Sequence, residues 1–205
     1  MSSLFGGAAV AKLYESIDEG LRAFIAEQPM FFVATAPGTG GHVNVSPKGY
    51  KDTFSVIDST TVAYLDLYGS GSETIAHLRD NGRITIMFCS FARRPKIVRL
   101  HGSGRVVRPD AAEWPSLAGR FGDGHAGTRA IVVVDVSRVS DSCGYSVPLM
   151  EVVGERGLLD DQHRRRSAAE WGPRVGRNAQ SIDGLPALEP DHPAPGQRTT
   201  RSVNG

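Results

Sequence analysis

Residues 83–108 read RITIMFCS, FARRP and KIVRLHGSGRVVR in succession, two β-rich runs (Arg83–Ser90 and Lys96–Arg108) on either side of a short basic link. Branched and aromatic side chains dominate both runs, and so short a link makes them antiparallel neighbours. Gly102 and Gly104 inside the second run predict a bend or bulge, as at a barrel corner. The same character recurs outward from this pair. Phe31–Ala36 runs into the turn at Pro37-Gly38, and His42–Ser46 (HVNVS) alternates as its partner strand across PGTGG. Thr60–Leu67 (TTVAYLDL) and Arg129–Val139 (RAIVVVDVSRV, the longest) complete six β runs. Most are joined by turns or by one short helix, which argues against alternating βαβ units. The expected fold is mainly β (α+β), an antiparallel six-stranded barrel with peripheral helices.

Helices are predicted between and around these runs. Lys12–Gln28 places Leu13, Ile17, Leu21, Phe24 and Ile25 in one apolar stripe that Pro29 ends. A short helix is expected from about Glu73 to Asn81, with Ser70 or Ser72 as its cap. Asp110–Phe121 opens on a capping-box spacing, Asp110 with Glu113, although Pro115 falls inside it. Glu155–Trp171 reads as a polar surface helix, and Asn178–Leu188 as short and irregular. Residues 1–185 are expected to form a single domain with a C-terminal extension. Residues 186–205 hold four of the 12 prolines and no aromatic residue, which predicts a mobile tail.

Composition narrows the function classes. The 205 residues carry 23 Lys+Arg against 22 Asp+Glu, a net charge of +1. Near-neutrality removes the electrostatic case for nucleic-acid binding. No apolar run approaches the roughly 20 residues of a membrane helix, and the N-terminus makes a poor signal peptide. Cys89 and Cys143 lack metal-like spacing and suit a reducing compartment. The expectation is a cytoplasmic protein without nucleic-acid or membrane partners.

Hydrolase elbows, zinc-protease pairs, Walker lysine loops and full dinucleotide fingerprints are all missing from the sequence. What remains is a candidate phosphate seat. Ser70, Ser72 and Thr74 offer hydroxyls, Gly69 and Gly71 allow close backbone approach, and a helix N-terminus follows. Ordinary capping serines explain the same spacing. Lys48 is the nearest cation by type, with Lys96 second. Asn44, Ser46 and Lys48 share one strand face, either an exposed sheet face or a ligand-facing one. The Arg93–Arg99 and Arg164–Arg166 clusters read as solvated surface, and the six histidines are scattered.

Taken together, HVNVSPKG (42–49), TVAYLDLYGSGSETIAHLRDNGRITIMFCSF (61–91) and KIVRLHGSGRVV (96–107) resemble the flavin-binding split-barrel superfamily related to pyridoxamine 5'-phosphate oxidase. SCGYSVPLMEVVGERGLL (142–159) and NAQSIDGLPAL (178–188) are similar to segments of its uncharacterised oxidase-related branch. The resemblance implies a homodimer binding FMN at the subunit interface and acting as an oxidoreductase on an unknown small molecule. It implies flavin-ring contacts from Val45, Ser46 and Lys48, main-chain contacts from Leu65 and Asp66, and a phosphate held by Ser70, Ser72 and Thr74. Lys96 falls beside the position of a family glutamine, which Ile97 replaces. Gly71 and Ser72 stand where the true oxidases carry an Arg-Lys pair, and their C-terminal arginine motif has no counterpart, so pyridoxamine phosphate oxidation itself is not expected. The alternatives are a deazaflavin-dependent reductase, a non-catalytic flavin carrier or sensor, and a haem-binding barrel using His77 or His101.

Overall fold

The computed structural model describes residues 12–195. Eight strands form one antiparallel sheet: β1 (Leu13–Tyr14), β2 (Phe31–Thr35), β3 (Asn44–Lys48), β4 (Phe54–Val56), β5 (Thr61–Leu67), β6 (Arg83–Cys89), β7 (Ile97–Val107) and β8 (Thr128–Ser142). Their order is β3-β2-β6-β7-β8-β5-β4, with β1 added alongside β8. The six expected runs are all present, and the sheet curls into the split barrel. The strand count rises to eight because β1 and β4 are too short to leave an alternating pattern.

The curl has a local cause. The β7–β8 register shifts between His101 and Gly102. A Cβ on Gly102 would lie 2.1 Å from the Asp135 carbonyl oxygen, so only glycine lets the two backbones approach this closely. At Gly104 a Cβ would meet the Leu78 side chain at 2.8 Å, which brings a helix down onto the same bend. That helix is α2 (Glu73–Asp80). Inside the barrel, Phe31, Val33, Tyr64, Ile86, Phe88, Leu100 and Val132 make the main core.

Three of the expected helices are corrected. α1 (Glu19–Glu27) is shorter than the Lys12–Gln28 stripe, because the Asp18 side chain caps it by accepting from the Leu21 N–H. Leu13 and Tyr14 instead pair with Ser140 and Val139 of β8. The helix expected over 110–121 is only α3 (Trp114–Ala118), with Pro115 tolerated in its first turn. Asp110 and Glu113 form no capping box; they bind Arg108 and Arg105. The segment read as one surface helix is two, α4 (Leu158–Arg164) and α5 (Ala168–Arg177). Nor is α5 merely superficial: Trp171 and Val175 are buried against Tyr68 and Ile75.

The mobile tail expected from Pro186 is corrected over its first part. Ala187 and Leu188 are 1% and 4% exposed and belong to the α5 core. Backbone bonds from the Ala187 and Leu188 N–H groups to Ala179 and Asn178 fix that segment. Residues 196–205, where the rest of the expected tail falls, lie outside the described residues. Ending the chain at Leu185 is therefore expected to lower the melting temperature by about 3–12 °C, the shift that about 1.5–3 kcal/mol of lost leucine burial produces in a chain of this size. An unchanged melting curve would show that 187–195 adds nothing to the fold. No helix among the described residues is long and apolar enough to cross a membrane.

Candidate functional site

Edge strand β3 carries its polarity the unusual way round. Val43 and Val45 are 72% and 59% exposed, while Asn44, Ser46 and Lys48 are half-buried. The polar side chains line an open cleft of about 340 Å³, closed on the other side by Leu67, the Gly69–Gly71 loop, the start of α2 and Arg129. Asn44 Nδ2 donates to Thr74 Oγ1 at 3.2 Å and to Ser46 Oγ at 3.1 Å, tying the edge strand to the helix start.

The start of α2 is left open to a ligand. Ser72 occupies the N-cap position, but its hydroxyl makes no cap bond; it donates to the Gln180 carbonyl at 3.2 Å. The first-turn N–H groups thus lack a side-chain acceptor, and the positive end of the helix dipole faces the cleft. Glu73 folds its carboxylate back against Gly71.

Behind the cleft lies a buried charge cluster. Asp66 is fully buried and accepts from Lys48 Nζ at 2.9 Å and from Arg129 Nε at 2.7 Å. Burial alone would raise its pKa, but the charges and hydrogen bonds of Arg129 and Lys48 outweigh that and hold it at about 2. Two cations against one anion leave this buried cluster one positive charge in surplus, which faces the Glu73 carboxylate across the cleft lining. Arg129 reaches Asp66 through a bulge. In the β5–β8 ladder Asp66 pairs with Ala130 and Leu67 with Thr128, so Arg129 is the unpaired extra residue.

The C-terminal segment braces this arrangement from outside. Arg129 Nη1 donates to Gly71 O at 2.9 Å and to Asn178 Oδ1 at 2.7 Å, and Arg174 Nη2 donates to Gly69 O at 2.8 Å. His192, buried, donates from Nε2 to the Arg129 carbonyl at 2.7 Å. Burial pushes its pKa down, which suits a neutral donor.

Of the residues expected at the site, Val45, Ser46, Lys48, Ser70 and Thr74 come together along this cleft. Asp66 sits behind it, contributing its side chain and not only the expected main chain. Leu65 packs into the apolar cluster with Ile131 and Phe121, and Leu67 lines the cleft in its place. Ser72 turns away to Gln180. Lys96 is elsewhere in this chain, 3.4 Å from Asp141 and above the Tyr14 and Phe24 rings. Sequence reasoning missed Arg129 and Asn178. The available signal was Arg129 as the sole charge opening an apolar run, matched by Asp66 as the sole acid within TVAYLDL.

The model of the family described as pyridoxamine 5'-phosphate oxidase matches residues 17–143, a span that holds every residue lining the cleft. The chain belongs to the pyridoxamine 5'-phosphate oxidase family. Among curated proteins, the pyridoxamine 5'-phosphate oxidase family protein ustO of Aspergillus flavus is 39% identical over 191 residues, covering 85% of this chain and 77% of the relative. Among solved structures, HupZ of Group A Streptococcus is 22% identical, covering 66% of this chain and 99% of that one, with a TM-score of 0.49. An FMN-binding protein from Syntrophomonas wolfei subsp. wolfei is 13% identical over 58% of this chain and 82% of that one, with a TM-score of 0.47. The bracing residues Asn178, Arg174 and His192 lie outside the span matched by the pyridoxamine 5'-phosphate oxidase family model.

Proposed function

We propose that the cleft holds the phosphate of FMN and that the protein is an FMN-dependent oxidoreductase acting on a small molecule. The observation that carries this reading is the convergence of an uncapped helix N-terminus, the Thr74 and Ser70 hydroxyls and the Lys48 ammonium on one polar cleft. A dianionic phosphomonoester complements all three. The donor set therefore fits the group, with Lys48 and the α2 backbone in place of the missing Arg-Lys pair.

FMN supplies hydride and electron transfer when bound, and the protein supplies orientation and electrostatics. In this chain Lys48 favours negative charge at the cleft wall, Asp66 fixes the Lys48 ammonium, and Arg129 fixes Asp66. Asn44 and Thr74 hold the edge strand against the helix start, which sets the width of the seat. His77 and His101, the histidines a haem-binding barrel would use, do not line this cleft; each bonds a threonine hydroxyl, Thr35 and Thr85 respectively. The basic link that would extend a deazaflavin groove, Arg93–Lys96, does not line it either.

The reading extends to a homodimer with the cofactor between subunits. Exposed Val45 of edge strand β3 and Val43 just before it, together with exposed Leu149, Met150, Val152 and Val153, supply apolar surface that a second copy would cover. The test is the absorption spectrum of the purified protein after loading with FMN and gel filtration. Retained bands at about 370 and 450 nm are expected; a Soret band from co-purified haem, or complete loss of flavin, would overturn the reading.

A further inference from the structure

A second cleft, of about 300 Å³, opens between α1, the start of β2, the Tyr50-Lys51 turn and β4. Its chemistry differs from that of the first. Phe31, Phe54 and Phe88 form its aromatic wall, with Phe54 edge-on to both others at centroid separations of 5.0 Å. Arg22 and Lys51 stand at the same cleft, and no aspartate or glutamate lines it. Neither cation has an ion-pair partner among the described residues, whereas Lys48 and Arg129 are both bound to Asp66. Two carboxylates adjoin Lys51 and both are engaged: Glu155 Oε1 accepts from the Lys51 backbone N–H at 3.0 Å, and Asp52 pairs with His125.

Tyr50, also in the lining, marks the cleft as built. It is the only non-glycine residue with positive φ among the described residues, at 57°. A left-handed tyrosine is strained and persists only where its surroundings over-determine it. Here its ring stacks on His125 at 4.6 Å and 15°, its hydroxyl donates to the Arg156 carbonyl, and its own carbonyl accepts from the Thr53 N–H and hydroxyl. His125 is itself held between Asp160 and Asp52. Such bracing keeps Tyr50 and Lys51 at the cleft.

We infer that this cleft is a binding site for a small aromatic carboxylate, its ring against Phe54 and its charge between Arg22 and Lys51. Apolar walls with a few convergent polar groups are the usual composition of small-molecule sites. Arg22 Nη1 donates to the Val56 carbonyl at 3.2 Å, but two cations without an ion-pair partner or a lining acid select an anion over its neutral analogue. The site adjoins the cleft proposed for FMN: Lys48 pairs with Phe31 across β2–β3, and only Gly49 separates Lys48 from Tyr50 in the chain. The binding assignment stands without the flavin reading, and naming the ligand as the substrate class rests on it.

The test is calorimetric titration of the FMN-free full chain with naphthalene-2-carboxylate and, separately, with naphthalene-2-methanol. The acid is expected to bind about tenfold tighter or more. Lys51→Ala, an exposed position that leaves the fold intact, should remove most of that preference while changing alcohol binding little. Ala26→Trp, which fills the cleft from the exposed side of α1, should abolish binding of both probes. Equal affinity for acid and alcohol, or wild-type binding by Ala26→Trp, would overturn the assignment. FMN titrated into the same samples reports on the other cleft, so failure of one reading is distinguishable from failure of the other.

Discussion

Arg129→Ala is expected to destabilise the protein by about 3–5 kcal/mol, the usual cost of breaking a buried ion pair from one side. Arg129 is 3% exposed and satisfies Asp66, the Gly71 carbonyl and Asn178 at once. Without it, a fully buried carboxylate keeps only Lys48, and two further acceptors lose their donor. Urea unfolding measures the loss directly. The pH dependence carries an independent signature. The Asp66 pKa lies at about 2 in the fold, below its ordinary 3.8. The ionised form is thus favoured by folding, so the pair's contribution is complete above about pH 4 and is lost as pH falls from there through 2. In Arg129→Ala that acid-side loss should shrink, because the depression of the pKa has lost its main opposing charge. A variant within about 1 kcal/mol of wild type would mean that Arg129 does not hold Asp66.

Lys48→Ala is expected to weaken FMN by about tenfold to a hundredfold, the range spanned by a hydrogen bond to a charged group. Its removal leaves Arg129 and Asp66 balanced and takes the lysine ammonium from a cleft whose lining also holds the Glu73 carboxylate. Lys48 is partly exposed, and Asp66 keeps its closer partner Arg129, so the melting temperature should fall far less than for Arg129→Ala. Lys48→Arg should recover part of the affinity, since it restores charge without the ammonium geometry. Unchanged FMN affinity in Lys48→Ala would place the phosphate elsewhere.

The strands were legible because each is long enough to alternate or to run apolar, and Gly102 announced the bend that curls the sheet. The two short strands were not, since Leu13–Tyr14 and Phe54–Val56 are too short to leave a periodicity. At the site, hydroxyl loop, helix start and strand lysine were legible as residue types at local spacing. Which of them face the cleft was not. The Ser72 hydroxyl is drawn off by a carbonyl 108 residues away, and Arg129 reaches Asp66, 63 residues distant, only because the ladder bulges between them. The packed 187–192 segment escaped for a related reason: Ala187 and Leu188 look negligible among prolines, yet they complete a core that α5 has already built.

The central claim is a phosphate seat, and comparing FMN with riboflavin isolates it, because the two ligands differ only by that group. Fluorescence-quenching titrations of both, at one low and one high salt concentration, are predicted to give FMN an advantage of about tenfold or more at low salt. The advantage should narrow as salt screens the cleft. Equal affinities for FMN and riboflavin at low salt would contradict the account.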